Sequence, residues 1–346
     1  MRILLIGNFS PPYEDEGLHN LSLLKKLGEE GNDCRVINIS KKPIKADGIT
    51  NAESYFDFVF KLVKYGWKKD VIHYLTKSYT RLSLLKFMTS VLIGRIFLAK
   101  TVVTLHSEMF SIFGQSRSHT GGTQSMHAVF YLVHKVICGD RHTCDSALQY
   151  YKKSDKFEII PLFISVPEET GDNERFSLKK IQDKNRVILF SNVEYPSLLF
   201  EVLKSMLAGY PAPETGIVVS LSVKSTDKLR RATEEAAGSR MADNLVFIEP
   251  DDMLLMSMAY ERADLVLRTM SCDGETLYKD FAFIVRKPEH SQNYVYFPTS
   301  LLLIKEGDVS DLCAYIFNNL LTQRDDELSR SKPIDFYKRI KDIYSS

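Results

Sequence analysis

The stretch Met1-Arg-Ile-Leu-Leu-Ile-Gly-Asn-Phe-Ser-Pro-Pro-Tyr13, running on to Cys34-Arg-Val-Ile-Asn-Ile-Ser40, decides the fold. An unbroken apolar run from Ile3 to Ile6 stops at Gly7, and a Pro-Pro loop follows. Leu18, Leu21, Leu24 and Leu27 then recur at helical spacing, and a second apolar strand closes at Ile39. This is a β-loop-α-β unit. Strands this apolar, without alternation, are buried on both faces, which predicts an α/β protein with a parallel sheet covered by helices. The loop after the first strand then lies at the carboxyl edge of the sheet, where open α/β folds bind ligands.

The same pattern predicts further strands near residues 70–74, 101–105, 135–138 and 157–160, with helices between them. The second half restarts it. Strands are expected at Arg186–Phe190, Thr215–Ser222, Leu245–Ile248, Leu265–Leu267 and Leu301–Ile304, and helices at Ser197–Leu207, Thr226–Ala237 and Met253–Arg262. No internal repeat of solenoid length and no low-complexity tract interrupts the pattern.

Composition narrows the class. The chain has 346 residues, 44% apolar and 26% charged, which suits two ordinary globular domains. A net charge of +1 supplies no global field for nucleic acid, and none is expected as a partner. The five cysteines are odd in number and scattered, as expected of reduced thiols in a reducing, cytoplasmic compartment. Cys138, His142 and Cys144 have no second ligand pair elsewhere at finger-like spacing, so no metal site is expected. The short apolar run before Gly7 reads as a strand and not as a signal peptide. The longest apolar run, Leu82 to Ala99, is broken by Lys86 and Arg95. It reads either as a helix packed on the sheet or as an interfacial helix over residues 81–100. In the second case Leu84, Leu85, Phe87, Met88 and Leu92 would enter the lipid boundary, giving weak peripheral contact with the cytoplasmic membrane face.

Pro11-Pro12-Tyr13, Gly17, His19-Asn20-Leu21, Leu24, Lys26-Leu27, Gly31 and Val36-Ile37 resemble the amino-terminal signature of the large retaining GT-B glycosyltransferase family of bacterial surface-polysaccharide synthesis. Asp70-Val-Ile-His-Tyr74, Thr101-Val-Val-Thr-Leu-His-Ser107 and Arg262-Ala-Asp-Leu-Val-Leu-Arg268, leading into Ser271-Cys-Asp-Gly-Glu-Thr276, follow in the family's order. The resemblance spans most of the chain. It implies two Rossmann-like domains with parallel sheets facing across a cleft: an acceptor-side domain over 1–168, a donor-side domain over 169–330, and a terminal helix within 331–346 crossing back to the first. Phe157 to Pro167 resembles the family's exit from its first domain, and polar residues take over from Glu168 to Arg175.

The resemblance also assigns residues. His106, just past a buried strand, corresponds to a histidine that touches the donor sugar, and Asp273 opens an acidic loop that orients it through strong carboxylate–hydroxyl bonds; these two are the expected catalytic residues. Gly17, Glu275, Thr276 and Asp280 are the expected donor-binding residues, and His73, one strand before His106, is expected on the acceptor side. Neither cofactor nor metal is implied, because protein groups hold the donor's diphosphate.

Several positions depart from the family's pattern. Paired glycines are replaced by Glu14-Asp-Glu-Gly17, whose acids would repel a diphosphate or, read another way, form a solvated loop favouring the following helix N-terminus. Relatives carry a second acid eight residues after the first; that position is Phe281, with Asp280 one place earlier. The arginine and lysine that hold the diphosphate are missing from Ser191-Asn-Val-Glu-Tyr-Pro-Ser197. Two lost charge-assisted contacts cost several kcal/mol at ~1.5–3 kcal/mol each. The expected function is sugar transfer from a nucleotide-diphosphate donor to a glycan or lipid-linked acceptor, with retained configuration. The alternative is a catalytically degenerate protein of the same fold acting as a binding or scaffolding partner. A sugar epimerase on this architecture would need an acid/base set of its own, which the sequence does not display.

Overall fold

The computed structural model describes residues 1–76, 81–106, 120–165, 178, 180–181, 183–191, 215–220, 231, 244–271, 281–286, 289–291, 294–297, 302–305 and 336–346. The chain divides into two compact units. The first comprises Met1–Ser10, Asp15–Phe163 and Asp335–Ser346, and the second Pro11–Glu14 and Ile164–Ile334.

The first unit is built on seven strands: β1 (Arg2–Gly7), β2 (Asp33–Asn38), β3 (Ile49–Asn51), β4 (Val71–Thr76), β5 (Lys100–Leu105), β6 (Lys135–Cys138) and β7 (Phe157–Ile159). Their spatial order is β3-β2-β1-β4-β5-β6-β7, and every neighbouring pair is parallel. The helices are α1 (Asp15–Glu29), α2 (Tyr55–Gly66), α3 (Arg81–Ile96), α4 (Thr120–Leu132), α5 (Arg141–Tyr150) and, from the far end of the chain, α7 (Phe336–Ser345). The strands expected from the apolar runs are all present. The short edge strand β3 was not expected, because Ile49-Thr-Asn51 carries a single large apolar residue.

Local chemistry starts and seats the helices. Ser54 caps α2 by accepting from the Asp57 N–H at 3.1 Å, and Asp140 caps α5 by accepting from the Thr143 N–H at 2.8 Å. Such caps are worth about 1 kcal/mol each. Gly94 lets α3 lie close on the sheet, since a Cβ there would stand 2.3 Å from Thr101 Cγ2. Ile6, Phe58, Leu62, Phe87 and Val91 belong to the core beneath these helices. Phe87 is wholly buried and stacks on Tyr74 with centroids 5.3 Å apart. This corrects part of the interfacial reading of residues 81–100. Phe87 belongs to the core and does not face lipid, and Leu84 and Met88 pack against the same core. Among the described residues no helix is long and apolar enough to cross a membrane.

Helix α7 is strongly amphipathic and buries Tyr337, Ile340, Ile343 and Tyr344. Arg339 bonds Glu158 at 2.8 Å, Lys341 bonds Glu30 at 2.7 Å, and Lys100 Nζ donates to the Ile343 carbonyl at 3.1 Å.

Strand β8 (Phe163–Ser165) follows β7, and the second unit holds β9 (Arg186–Ser191), β10 (Thr215–Ser220), β11 (Leu245–Ile248), α6 (Met253–Arg262), β12 (Leu265–Ser271), β13 (Phe281–Arg286), the antiparallel pair β14 (Glu289–Ser291) and β15 (Tyr294–Tyr296), and β16 (Leu302–Lys305). Its six-stranded sheet runs β11-β10-β9-β12-β13-β16. The first four of these strands are parallel, whereas β13 is antiparallel to both neighbours. The two units are thus Rossmann-like α/β layers with largely parallel sheets. Of the helices expected here, Met253–Arg262 is present with those bounds; the spans 197–207 and 226–237 fall, apart from residue 231, outside the described residues.

Candidate functional site

The carboxyl edge of the first sheet gathers the end of β1, the first turn of α1 and the end of β5. Gly7 closes β1 where space is shortest: a Cβ there would lie 3.0 Å from Leu75 Cβ and its carbonyl oxygen, and 3.1 Å from Asn20 Nδ2. A bare backbone at this point lets α1 approach the strand ends. The following turn is tied down by side chains of β2. The Phe9 N–H donates to Asn38 Oδ1 at 3.0 Å, Asn38 Nδ2 donates to Asn51 Oδ1 at 2.8 Å, and the Ser10 and Ser40 hydroxyls bond each other.

Helix α1 begins at Asp15, so Gly17 sits inside its first turn and not in the preceding loop. Glu14, Asp15 and Glu16 are all buried, which corrects the reading of this stretch as a solvated acidic loop. The Asp15 carboxylate accepts from the Glu16 N–H at 2.9 Å, and both acids stand where the helix dipole favours negative charge.

One turn on, His19 and Asn20 face inward and are buried. Asn20 Nδ2 donates to the Asn8 carbonyl at 2.9 Å, fixing the turn against the helix. His19 Nδ1 faces both backbone groups of Phe163, 3.1 Å from the carbonyl oxygen and 3.2 Å from the N–H. Either neutral tautomer therefore finds a partner there. Burial pushes the His19 pKa down to about 4, against the smaller pull of the Phe163 carbonyl and Asp15, so the ring is neutral at pH 7.

His106 follows β5, its N–H bonded to the Thr76 carbonyl at 3.0 Å as a last rung of the ladder. Its ring is buried and meets the His19 ring edge-on, with centroids 5.9 Å apart. Two imidazoles thus stand side by side at one sheet edge. Such a pair can donate to and accept from hydroxyls. Among the described residues no group of three or more His, Cys, Asp or Glu side chains assembles as metal ligands.

His73 is elsewhere. It sits in the interior of β4, paired with Leu5 and Val102, three residues before the strand ends. Its Nδ1 meets the Tyr344 hydroxyl at 2.5 Å and its Nε2 meets Thr104 Oγ1 at 2.8 Å. Burial pushes its pKa to about 3. Nδ1 thus ties α7 to the sheet and Nε2 ties β4 to β5, so both nitrogens are engaged inside the first unit, away from the edge where the acceptor-side reading placed His73. The strand runs two residues further than the apolar run suggests, which moves His73 from the edge to the interior.

The structure therefore brings Gly17 and His106 to one edge and leaves His73 away from it. Asp273, Glu275, Thr276 and Asp280 lie outside the described residues, in the connection between β12 and β13. His19 is the site residue that sequence reasoning did not nominate. Its signal was available, because a histidine two residues after Gly17 falls on the same inward stripe as Leu23 and Leu27.

No protein-family profile and no curated protein sequence matches the chain. Solved structures do resemble it. An S. aureus MnaA–UDP complex superposes with a TM-score of 0.50 at 14% identity, covering 78% of this chain and 74% of that one. A UDP-N-acetylglucosamine 2-epimerase gives 0.48 at 12% identity, with 77% and 73% covered. MurG of Acinetobacter baumannii gives 0.41 at 13% identity, with 77% and 71% covered. At these identities the likeness is one of fold, and the fold is GT-B.

Proposed function

We propose that the protein is a GT-B glycosyltransferase that moves a sugar from a nucleotide-diphosphate donor to a glycan or lipid-linked acceptor, with retention of configuration. The observation that carries this reading is the edge-on His19–His106 pair at the carboxyl edge of the first sheet, beside the first turn of α1. His106 would hydrogen-bond the donor sugar, His19 would hold the His106 ring in place, and Asp273 would orient the sugar hydroxyls. Retention, the acidic loop and the acceptor class rest on the motif resemblance. The S. aureus relative was solved with UDP, and a uridine diphosphate sugar is the donor to try first.

A second reading has its own support. The loop Ser191–Ser197 carries neither of the cations that hold a diphosphate in the family it resembles, and a scaffold that had lost catalysis would look the same. Thermal shift with UDP, GDP and their sugars separates the two. A transferase is stabilised by ~2.7 kcal/mol at a hundred times the dissociation constant, and a scaffold is not. In a transferase, His106→Ala and Asp273→Ala each lower turnover by roughly one to two decades at ~1.4 kcal/mol per decade. His73→Gln leaves turnover unchanged and lowers stability. Absence of any nucleotide binding in the wild type rejects the enzyme reading, and conversion of the donor sugar without an acceptor replaces it with an epimerase.

A further inference from the structure

We propose that the outer faces of α2 and α3 form a docking surface for an anionic lipid bilayer. Helix α2 is apolar on two sides. Its inner side buries Phe58, Leu62 and Gly66, as a helix on a sheet must. Its outer side presents Phe56, Phe60, Val63 and, at the C-cap, Trp67 at spacings of four, three and four, a single stripe ~16 Å long at about 1.5 Å per residue. Those side chains are bare: Phe56 is 84% exposed, Phe60 66% and Trp67 61%. Helix α3 packs beside α2, with the Tyr55 hydroxyl bonded to Thr89 Oγ1 at 2.8 Å. It adds an outward stripe of Leu82, Leu85, Leu92 and Ile96. Isolated exposed apolar residues are ordinary, but two adjoining stripes are an interaction surface.

The end of the patch is built for exposure. Both helices pass into the next strand through a left-handed residue, a position that favours glycine. Here these residues are Lys68 (φ 60°) and Leu98 (φ 57°), and Leu98 is 93% exposed. Trp67 and Phe97 meet edge-on at 5.2 Å and join the two corners.

Charge selects the occupant. Helix α3 contains no acid, and the acid of α2, Asp57, is matched by Lys61 at 2.6 Å. Lys64 and Lys68 are exposed on the flank of the stripe, and Lys86 Nζ lies 5.7 Å from the Phe58 ring centroid. Apolar side chains rimmed by cations that form no ion pair among the described residues complement anionic headgroups over an acyl boundary. A second copy of the chain is disfavoured, since a twofold contact would set the same lysines against each other. This surface is independent of the sugar-transfer reading.

Trp67 is the single tryptophan of the chain, so indole fluorescence of the whole protein reports this face directly. Titration with phosphatidylglycerol vesicles is expected to shift its emission to the blue, with quenching by brominated acyl chains and co-sedimentation that is lost at high salt. Phosphatidylcholine vesicles should give neither. Lys64→Glu with Lys68→Glu should weaken binding more than about tenfold, and Phe60→Ser should remove it while circular dichroism is unchanged. An unshifted Trp67 with protein left in the supernatant at low salt overturns the proposal. So does equal binding to both lipids. A blue shift on concentrating the protein without vesicles, accompanied by a dimer mass in sedimentation equilibrium, assigns the face to a second copy instead.

Discussion

The first sheet keeps one direction through seven strands, while the second keeps it through four and then reverses at β13. Connection length accounts for the difference. From Leu105 to Lys135 the chain has residues 106–134 in which to cross by way of α4, but from Ser271 to Phe281 it has only residues 272–280. A parallel return needs a dozen residues or more, so the shorter link turns straight back and pairs Ser271 with Phe281. In the first unit every strand therefore delivers its following loop to one edge. In the second, the strand that follows β12 runs the opposite way, so the sheet does not continue in one direction beyond β12.

The units also differ in titratable content. Seven of the eight histidines, at 19, 73, 106, 119, 127, 134 and 142, fall in the first unit and one, His290, in the second. The largest effect should therefore be a pH dependence confined to the first unit. His19 and His73 are held neutral, with pKa values of about 4 and about 3 against an ordinary 6.5. Between these limits the unfolded chain binds protons that the folded one does not. Stability is then full above pH 6.5 and falls as the pH drops, by ~1.4 kcal/mol per unit per histidine. Urea unfolding at pH 7.5 and pH 5 should differ by up to about 4 kcal/mol in the transition of the first unit and little in that of the second. Equal acid sensitivity of both transitions breaks the comparison.

Leu189→Ala tests the converse. Leu189 is wholly buried at the centre of the second sheet, so its truncation should cost about 3 kcal/mol. Calorimetry should show the second unit's transition moving alone; a single shifted transition for the whole chain would mean that the units do not melt separately. Tyr344→Phe is smaller. It leaves His73 Nδ1 buried without the hydroxyl and should destabilise the first unit by ~1–3 kcal/mol, read from its urea midpoint. Smallest is Lys341→Ala, which removes a partly exposed ion pair with Glu30 and should change that midpoint by less than about 1 kcal/mol.

The fold was largely legible because strands buried on both faces announce themselves as apolar runs, and β1, β5, β6, β9 and β10 do so. Phe281–Arg286 is equally apolar, but its direction is set by the length of the preceding link, which no periodicity reports. The site was less legible, since one residue of register moves a side chain between interior and edge. Leu75 and Thr76 extend β4 beyond the apolar run and carry His73 inward, while His106 lies beyond the last residue of β5. His19 was hidden by the helix around it, where a buried histidine and a packed leucine share the same spacing.

The Tyr344–His73 contact has a consequence in time. Tyr344 emerges from the ribosome 271 residues after His73, roughly 15–55 s later at 5–20 residues per second. Once β7 has been made, all seven strands of the first sheet exist, but the cover supplied by α7 does not until the second unit has been synthesised. The imidazole at the centre of β4 has one hydroxyl to bond, and the apolar surface awaiting Tyr337, Ile340 and Ile343 stays open to water or to a chaperone. The first unit is thus completed only after the second has been synthesised, and release of the nascent chain before α7 would leave it unsealed even where every strand had formed.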